Sequence, residues 1–144
     1  EFYIVTNADE ATNFKIVKTK VENPGMENWV DVIPHRKETL LEGFEIFNNY
    51  LVLEERTEGL LNIKVIDYQR NTSHYLEFND PTYTAYIGLN LEFNTDKLRF
   101  GYTSLTKPSS TLEYDMKEKT TIVLKEHEVL GGQFFTDNYI SERI

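Results

Sequence analysis

The sequence predicts an all-β protein made of about two and three-quarter four-stranded antiparallel blades of a β-propeller. Three observations carry this. No apolar periodicity of the helical kind lasts more than two turns along the 144 residues. Short β-rich runs are punctuated at even intervals by Asn, Asp, Gly and Pro. The runs that begin at Phe2, Tyr50 and Leu98 start 48 residues apart both times, within the ~40–50 residues of a four-stranded propeller blade. A two-sheet sandwich of about eleven strands competes with this architecture, and the constant step favours blades.

Taken in order, residues 1–7 (EFYIVTN) read as a first strand and 8–13 as a polar turn made by Asn and Asp. Residues 14–20 (FKIVKTK) make a second strand with loose alternation, broken by Pro24-Gly25. Residues 29–33 (WVDVI) form a third, stopped by Pro34, which has no N–H to give a ladder. The charged stretch 35–41 suits a short helical turn. A strand at 42–47 (EGFEIF) comes next; Asn48-Asn49 turn it into 50–56 (YLVLEER), and Glu58-Gly59 turn that into 61–68. Asn71-Thr72-Ser73 lead to 74–78 (HYLEF). After Asn79-Asp80-Pro81 a strand is expected over 83–93, then a turn at Asn94-Thr95-Asp96. Residues 98–105 and 111–116 form a strand–corner–strand unit, with Lys107-Pro108-Ser109-Ser110 as the corner. Phe100, Tyr102 and Thr103 favour a pleated surface, and Leu112 to Asp115 alternate apolar and polar. Residues 120–126 are the last clear strand.

The repeat extends beyond the starts. Second strands begin near Phe14, Leu61 and Thr111, and third strands near Trp29, His74 and Thr121. An extra strand precedes the trio at 42–47 and 85–93, and the first unit lacks it because the chain starts too late. This divides the chain into a blade remnant at 1–34 and blades at 35–80 and 81–130. Trp29, Phe44, Phe47, Phe78 and Phe100 are expected to pack between neighbouring blades, because aromatics at strand spacing are core before they are a ligand site. Trp29 should be partly exposed for want of a neighbour.

Composition sets limits. Hydrophobic residues make up 40% and aromatics 13%, enough for one domain with a core. No apolar run approaches the roughly 20 residues that span a bilayer, and no signal peptide is visible at the N-terminus. The chain starts at Glu1 and both ends break off in strand-like sequence, which suggests a piece of something longer. Without Cys, thiol catalysis, disulfides and Cys-based zinc sites are excluded. A net charge of −9 speaks against nucleic acid or an anionic membrane as partner. It suits cationic ligands, although a solvated acidic surface is its more common meaning.

Candidate catalytic groups are sparse. A serine nucleophile of the α/β-hydrolase kind needs G-x-S-x-G, because only small residues allow its tight elbow. The nearest match, Gly101-Tyr102-Thr103-Ser104-Leu105, lacks the second Gly, so Ser104 reads as a polar residue on a sheet face. His35, His74 and His127 fall in no pattern that pairs them with a nucleophile and an orienting acid. His127 between Glu126 and Glu128 has no second His to complete a metal site. No cofactor, metal or catalytic centre is expected in this chain.

Residues 98–116, LRFGYTSLTKPSSTLEYDM, resemble the last propeller blade of the oligopeptidase B (protease II) branch of the prolyl oligopeptidase family of serine peptidases. FKIVK at 14–18, IPHR at 33–36, LEGFEIFNNYLVLEERTEGL at 41–60, LKEHEVLGGQF at 124–134 and NYISERI at 138–144 agree with it. Lys107 stands where a second Thr is expected, a departure confined to a loop. The resemblance covers essentially the whole chain.

The resemblance implies the C-terminal part (1–137) of a seven-bladed propeller, with 138–144 starting the connection to an α/β-hydrolase peptidase domain. It implies a cytoplasmic serine peptidase (periplasmic if a leader precedes it) that cleaves short peptides after Lys or Arg. The propeller would gate access and this chain alone would be inactive. The first strand of each blade would line the central tunnel, which makes Glu42, Glu45, Asn90 and Glu92 the substrate-tunnel candidates. Carboxylates there would concentrate cationic peptides, or else sit in solvent and blunt sheet edges. Open blade faces on an isolated fragment would lead it to self-associate. The alternative of another class is a stand-alone β-sheet module that binds a cationic peptide or protein. A Ser/Asp/His peptidase domain encoded downstream of Ile144 would separate the two.

Overall fold

A computed structural model describes residues 1–131 and 135–143; residues 132–134 of the LKEHEVLGGQF tail and Ile144 of NYISERI lie outside the described residues. Strands β1 (Phe2–Thr6), β2 (Lys15–Thr19) and β3 (Val30–Ile33) form an antiparallel sheet in that order. Strands β4 (Leu40–Ile46), β5 (Tyr50–Thr57), β6 (Leu60–Asp67) and β7 (Thr72–Tyr75) form a second, again in chain order. Strands β8 (Tyr83–Ile87), β9 (Lys97–Ser104), β10 (Ser110–Asp115) and β11 (Thr120–Glu126) form a third. The only helical pieces among the described residues are 3-10 turns at Met26–Asn28 and Thr136–Asn138. The fold is the all-β, blade-like arrangement that the repeat predicts. Three sheets stand in a row, not two facing one another as in a sandwich.

The sheets stack through two apolar layers. Ile16, Leu41, Leu51 and Leu53 form the layer between the first and second sheets, bordered by Tyr3, Val5 and Phe44. Phe47, Tyr50, Val52, Ile63, Leu98 and Phe100 anchor the layer between the second and third. Strand β5 explains why Tyr50-Leu51-Val52-Leu53 is apolar without interruption. Alternate side chains point to opposite faces, so Tyr50 and Val52 enter one layer while Leu51 and Leu53 enter the other. Each such buried side chain contributes about 1.5–3 kcal/mol. At the β5–β6 turn, Glu58 (φ 51°) and Gly59 (φ 83°) are both left-handed, the tight hairpin geometry that Gly at the second position permits.

Four local expectations change. Residues 35–41 make no helical turn. Pro34 precedes them, the Asn13 side-chain amide donates to the carbonyls of Arg36 (3.2 Å) and Lys37 (2.6 Å), and Leu41 donates to the Asn13 carbonyl (3.1 Å). The segment is thus sewn to the first hairpin, and β4 begins at Leu40. The strand expected over 83–93 ends at Ile87. The one expected at 74–78 ends at Tyr75, after which Leu76 and Phe78 turn into the core. Trp29 joins neither apolar layer; its indole N–H donates to the Pro24 carbonyl at 3.0 Å and it folds over its own loop, half-exposed.

Candidate functional site

Strands β4 and β8 are the first strands of the two complete sheets, and each is a sheet edge. This edge is where the four tunnel candidates were expected. The β4–β5 register slips between Leu41 and Gly43, leaving Glu42 as the bulged residue. The bulge turns its carboxylate toward β5, where it accepts from the Arg56 guanidinium (Nη2 to Oε2, 3.3 Å). Arg56 also donates to the Gly59 carbonyl (3.1 Å), which pins the hairpin turn behind it. Glu42 is therefore a neutralised carboxylate.

Glu45 is half-buried, and its only hydrogen bond among the described residues is from the neighbouring Ile46 amide at 3.3 Å. Among the described residues no cation pairs with it. Asn90 and Glu92 lie beyond the end of β8. Asn90 takes the place of a ladder: its side-chain amide donates to the carbonyls of Gly88 (2.9 Å) and Arg99 (3.0 Å), and its oxygen accepts the Arg99 N–H (2.7 Å). That side chain is occupied in holding the chain to β9. Glu92 is exposed and has no ion-pair partner among the described residues. Of the four candidates, Glu45 and Glu92 have no ion-pair partner among the described residues, Glu42 is paired with Arg56, and the Asn90 amide is bonded to backbone.

A fifth residue, Glu54, lies one strand in from that edge, on β5. It lies opposite Gly43, and its carboxylate accepts the backbone N–H of Ile87 on β8 at 2.8 Å. A side chain of the second sheet thereby closes the seam to the third. Burial holds the Glu54 carboxyl above its ordinary value; the Ile87 N–H pulls the other way, and nearby Glu42 adds to the rise. Its neighbour Glu55 faces the first seam, fully buried, and accepts from Arg36 (2.6 and 3.2 Å) and from the Tyr75 hydroxyl (2.8 Å). The signal for both was in YLVLEER. A strand buried on both faces that carries two adjacent carboxylates must supply each with a donor.

Most of the other candidate groups are hydrogen-bonded within the described residues. The Ser104 hydroxyl lies 3.3 Å from that of Thr106 and accepts the Thr106 N–H. His74 Nε2 lies 2.8 Å from the Tyr114 hydroxyl, and burial, helped by Lys119, keeps the imidazole below its ordinary value. His35 Nε2 is buried without a hydrogen-bond partner among the described residues. The His127 amide donates to the Ser109 carbonyl. No described serine meets a histidine and a carboxylate, and no described group of three His, Asp or Glu is placed to hold a metal. What this edge offers is charge and hydrogen bonding.

Comparison with known proteins places this chain in a family. The family described as prolyl oligopeptidase, N-terminal β-propeller domain, matches residues 1–127. The dipeptidyl aminopeptidase BI of Pseudoxanthomonas mexicana is 36% identical over 141 residues, 98% of this chain and 19% of that protein. Oligopeptidase B from Trypanosoma brucei, in its closed form with covalently bound antipain, superposes with a TM-score of 0.83 at 27% identity, over 96% of this chain and 20% of that one. Oligopeptidase B from Leishmania major superposes with a TM-score of 0.84 at 25% identity, over 99% and 21%. The chain spans about a fifth of the length of these relatives.

Proposed function

This chain belongs to the prolyl oligopeptidase family, as part of the N-terminal β-propeller domain, and from that premise we propose that it is the non-catalytic, substrate-gating part of a serine oligopeptidase that hydrolyses short peptides after basic residues. The observation that carries this reading is the superposition of nearly the whole chain on two oligopeptidase B structures. In the proposed parent, residues 1–34, 35–80 and 81–130 belong to successive blades, and 138–144 lead into the peptidase domain. The propeller admits short peptides and holds folded proteins back, and parting of the two domains gates entry. The unpaired carboxylates of Glu45 and Glu92 are the steering charges of the inner edge, whereas Glu42 is silenced by Arg56. In isolation the chain self-associates through its end sheets, where Phe2 at one end and Tyr86 and Ile122 at the other are exposed.

The test uses the full-length parent. Cleavage after Arg or Lys should exceed cleavage after neutral residues. Glu45→Gln should lower kcat/KM for basic peptides roughly two- to fivefold at low salt, with the loss shrinking as salt screens the field. Neutral peptides should be unaffected. Equal loss for both classes would overturn the steering role, and absence of cleavage after basic residues would overturn the substrate class. Sedimentation velocity of the isolated chain decides self-association; a monomer at tens of micromolar contradicts it.

A further inference from the structure

At the rim opposite β4 and β8, a cleft of about 610 Å³ separates the second and third sheets. Its origin is a mismatch of strand lengths: β7 has four residues and β11 has seven. The side chains of β10 and β11 that face the second sheet therefore project past its last strand. Leu112 pairs with Val123 and Tyr114 with Thr121 across that overhang, and Val123 is 59% exposed. Phe78 and Phe100 form the floor.

The opposite wall is a free strand edge. Among the described residues, strand β7 pairs with β6 alone. The Leu76 N–H bonds the Ile63 carbonyl at 2.9 Å, which sets the phase of the ladder: His74 and Thr72 bond inward to β6. The N–H and C=O groups of Ser73 and Tyr75 consequently point away from β6, without a backbone partner among the described residues. A row of unpaired backbone groups beside an apolar overhang matches an added strand, whose main chain bonds the edge while alternate side chains enter the cleft.

Charge decides its direction. At the end of the cleft near the start of β7, Lys119 sits in the β10–β11 turn and makes no ion pair among the described residues. At the other end, Lys107 is occupied by Asp80 (3.0 Å), and Glu126 repels a second acid. A strand antiparallel to β7 brings its C-terminal end to Lys119. We propose that this cleft binds an extended peptide that adds antiparallel to β7, sets alternate apolar side chains against Leu112, Tyr114 and Val123, and carries a carboxylate at its C-terminal end over Lys119. The site lies on the outer rim and is independent of the gating role.

The probe is a fluorescein-labelled hexapeptide alternating Val and Thr and ending in Glu, titrated against the 144-residue chain by fluorescence polarisation. Saturable binding is expected. Methylating the peptide nitrogens that face β7 removes two main-chain bonds and should weaken binding roughly tenfold. Lys119→Glu should weaken it roughly threefold or more by reversing one exposed charge, and Val123→Asp should abolish it. Both residues are exposed, and the methylated peptide tests the edge on the unaltered chain. No saturation at millimolar chain, or equal binding of the methylated peptide, overturns the proposal. So does sedimentation showing that the chain dimerises and that Val123→Asp makes it monomeric, since a second copy would then be the occupant.

Discussion

Replacing Arg36 by Ala should cost more stability than replacing its partner Glu55 by Ala. The difference arises from where the two ends of the pair sit. Glu55 is completely buried, while the Arg36 side chain is 32% exposed. Arg36→Ala removes both guanidinium bonds and leaves a carboxylate with no access to water, satisfied among the described residues only by the Tyr75 hydroxyl. Stranding a buried charge in this way costs about 3–5 kcal/mol. Glu55→Ala leaves a guanidinium already one-third in water and a hydroxyl on Tyr75, which is 45% exposed. Both rehydrate, so the loss is about 1.5–3 kcal/mol. Urea unfolding at neutral pH reads the two directly. With a slope of about 2 kcal/mol per molar, the midpoint falls by roughly 2 M for Arg36→Ala and roughly 1 M for Glu55→Ala. The double variant should cost less than the sum of the two, because the pair is lost once. If Glu55→Ala proves as damaging as Arg36→Ala, or if the two costs simply add, the account of a solvent-facing cation holding a dry anion is wrong.

The seams give two pH effects of opposite sign, and two cavity variants test the layers. Burial holds Glu54 above its ordinary 4.5, so the native state keeps that proton longer than the unfolded chain and stability falls as pH rises from 4.5 through the raised value. Glu54→Gln should flatten that fall in a plot of urea midpoint against pH. Burial and Lys119 hold His74 below its ordinary 6.5, so the unfolded chain takes up the proton first and stability falls as pH drops from 6.5 through the depressed value. His74→Gln should remove this second slope and leave the first. Phe100→Ala should cost about 3–5 kcal/mol and Leu53→Ala about 2–5 kcal/mol. These residues lie in different layers on opposite faces of the second sheet. Their costs should add within about 0.5 kcal/mol, and a larger deviation in the double variant would mean that the layers communicate through β5.

Strand existence was legible from residue pattern because burial on alternating faces leaves a periodic mark. The run Tyr50-Leu51-Val52-Leu53 and the Glu58-Gly59 turn place β5 and its hairpin within a residue of where they fold. Strand ends were less legible. Leu89, Leu91 and Phe93 alternate as a strand would, yet the side chain of Asn90 takes over the bonding to Arg99 and all three are exposed. The β4 edge was legible only in outline. Glu42 and Glu45 carry the same local signal, and what separates them is a bulge plus an arginine fourteen positions along the chain. Register shifts and cross-strand partners leave no mark on the short-range pattern. Glu54 carried a readable mark, a carboxylate in a strand buried on both sides, but its partner is a main-chain amide of another sheet, which no side-chain pattern reveals.

The sheets are held together differently along their two directions, and this has a mechanical consequence. Within a sheet the strands share continuous ladders, eight paired positions between β5 and β6 for instance. Across a seam the backbone contributes isolated bonds, such as Leu41 to Asn13 at one and Asn48 to Phe93 at the other. Side-chain packing carries the rest. Packing attraction loses roughly a quarter to a half of its well within an ångström of separation, whereas a ladder loaded along its strands must shear many bonds at once. The molecule is thus stiff in the plane of each sheet and compliant between sheets, like pages bound loosely along one margin. A load that spreads the sheets should part them one after another at low force, and each should leave intact.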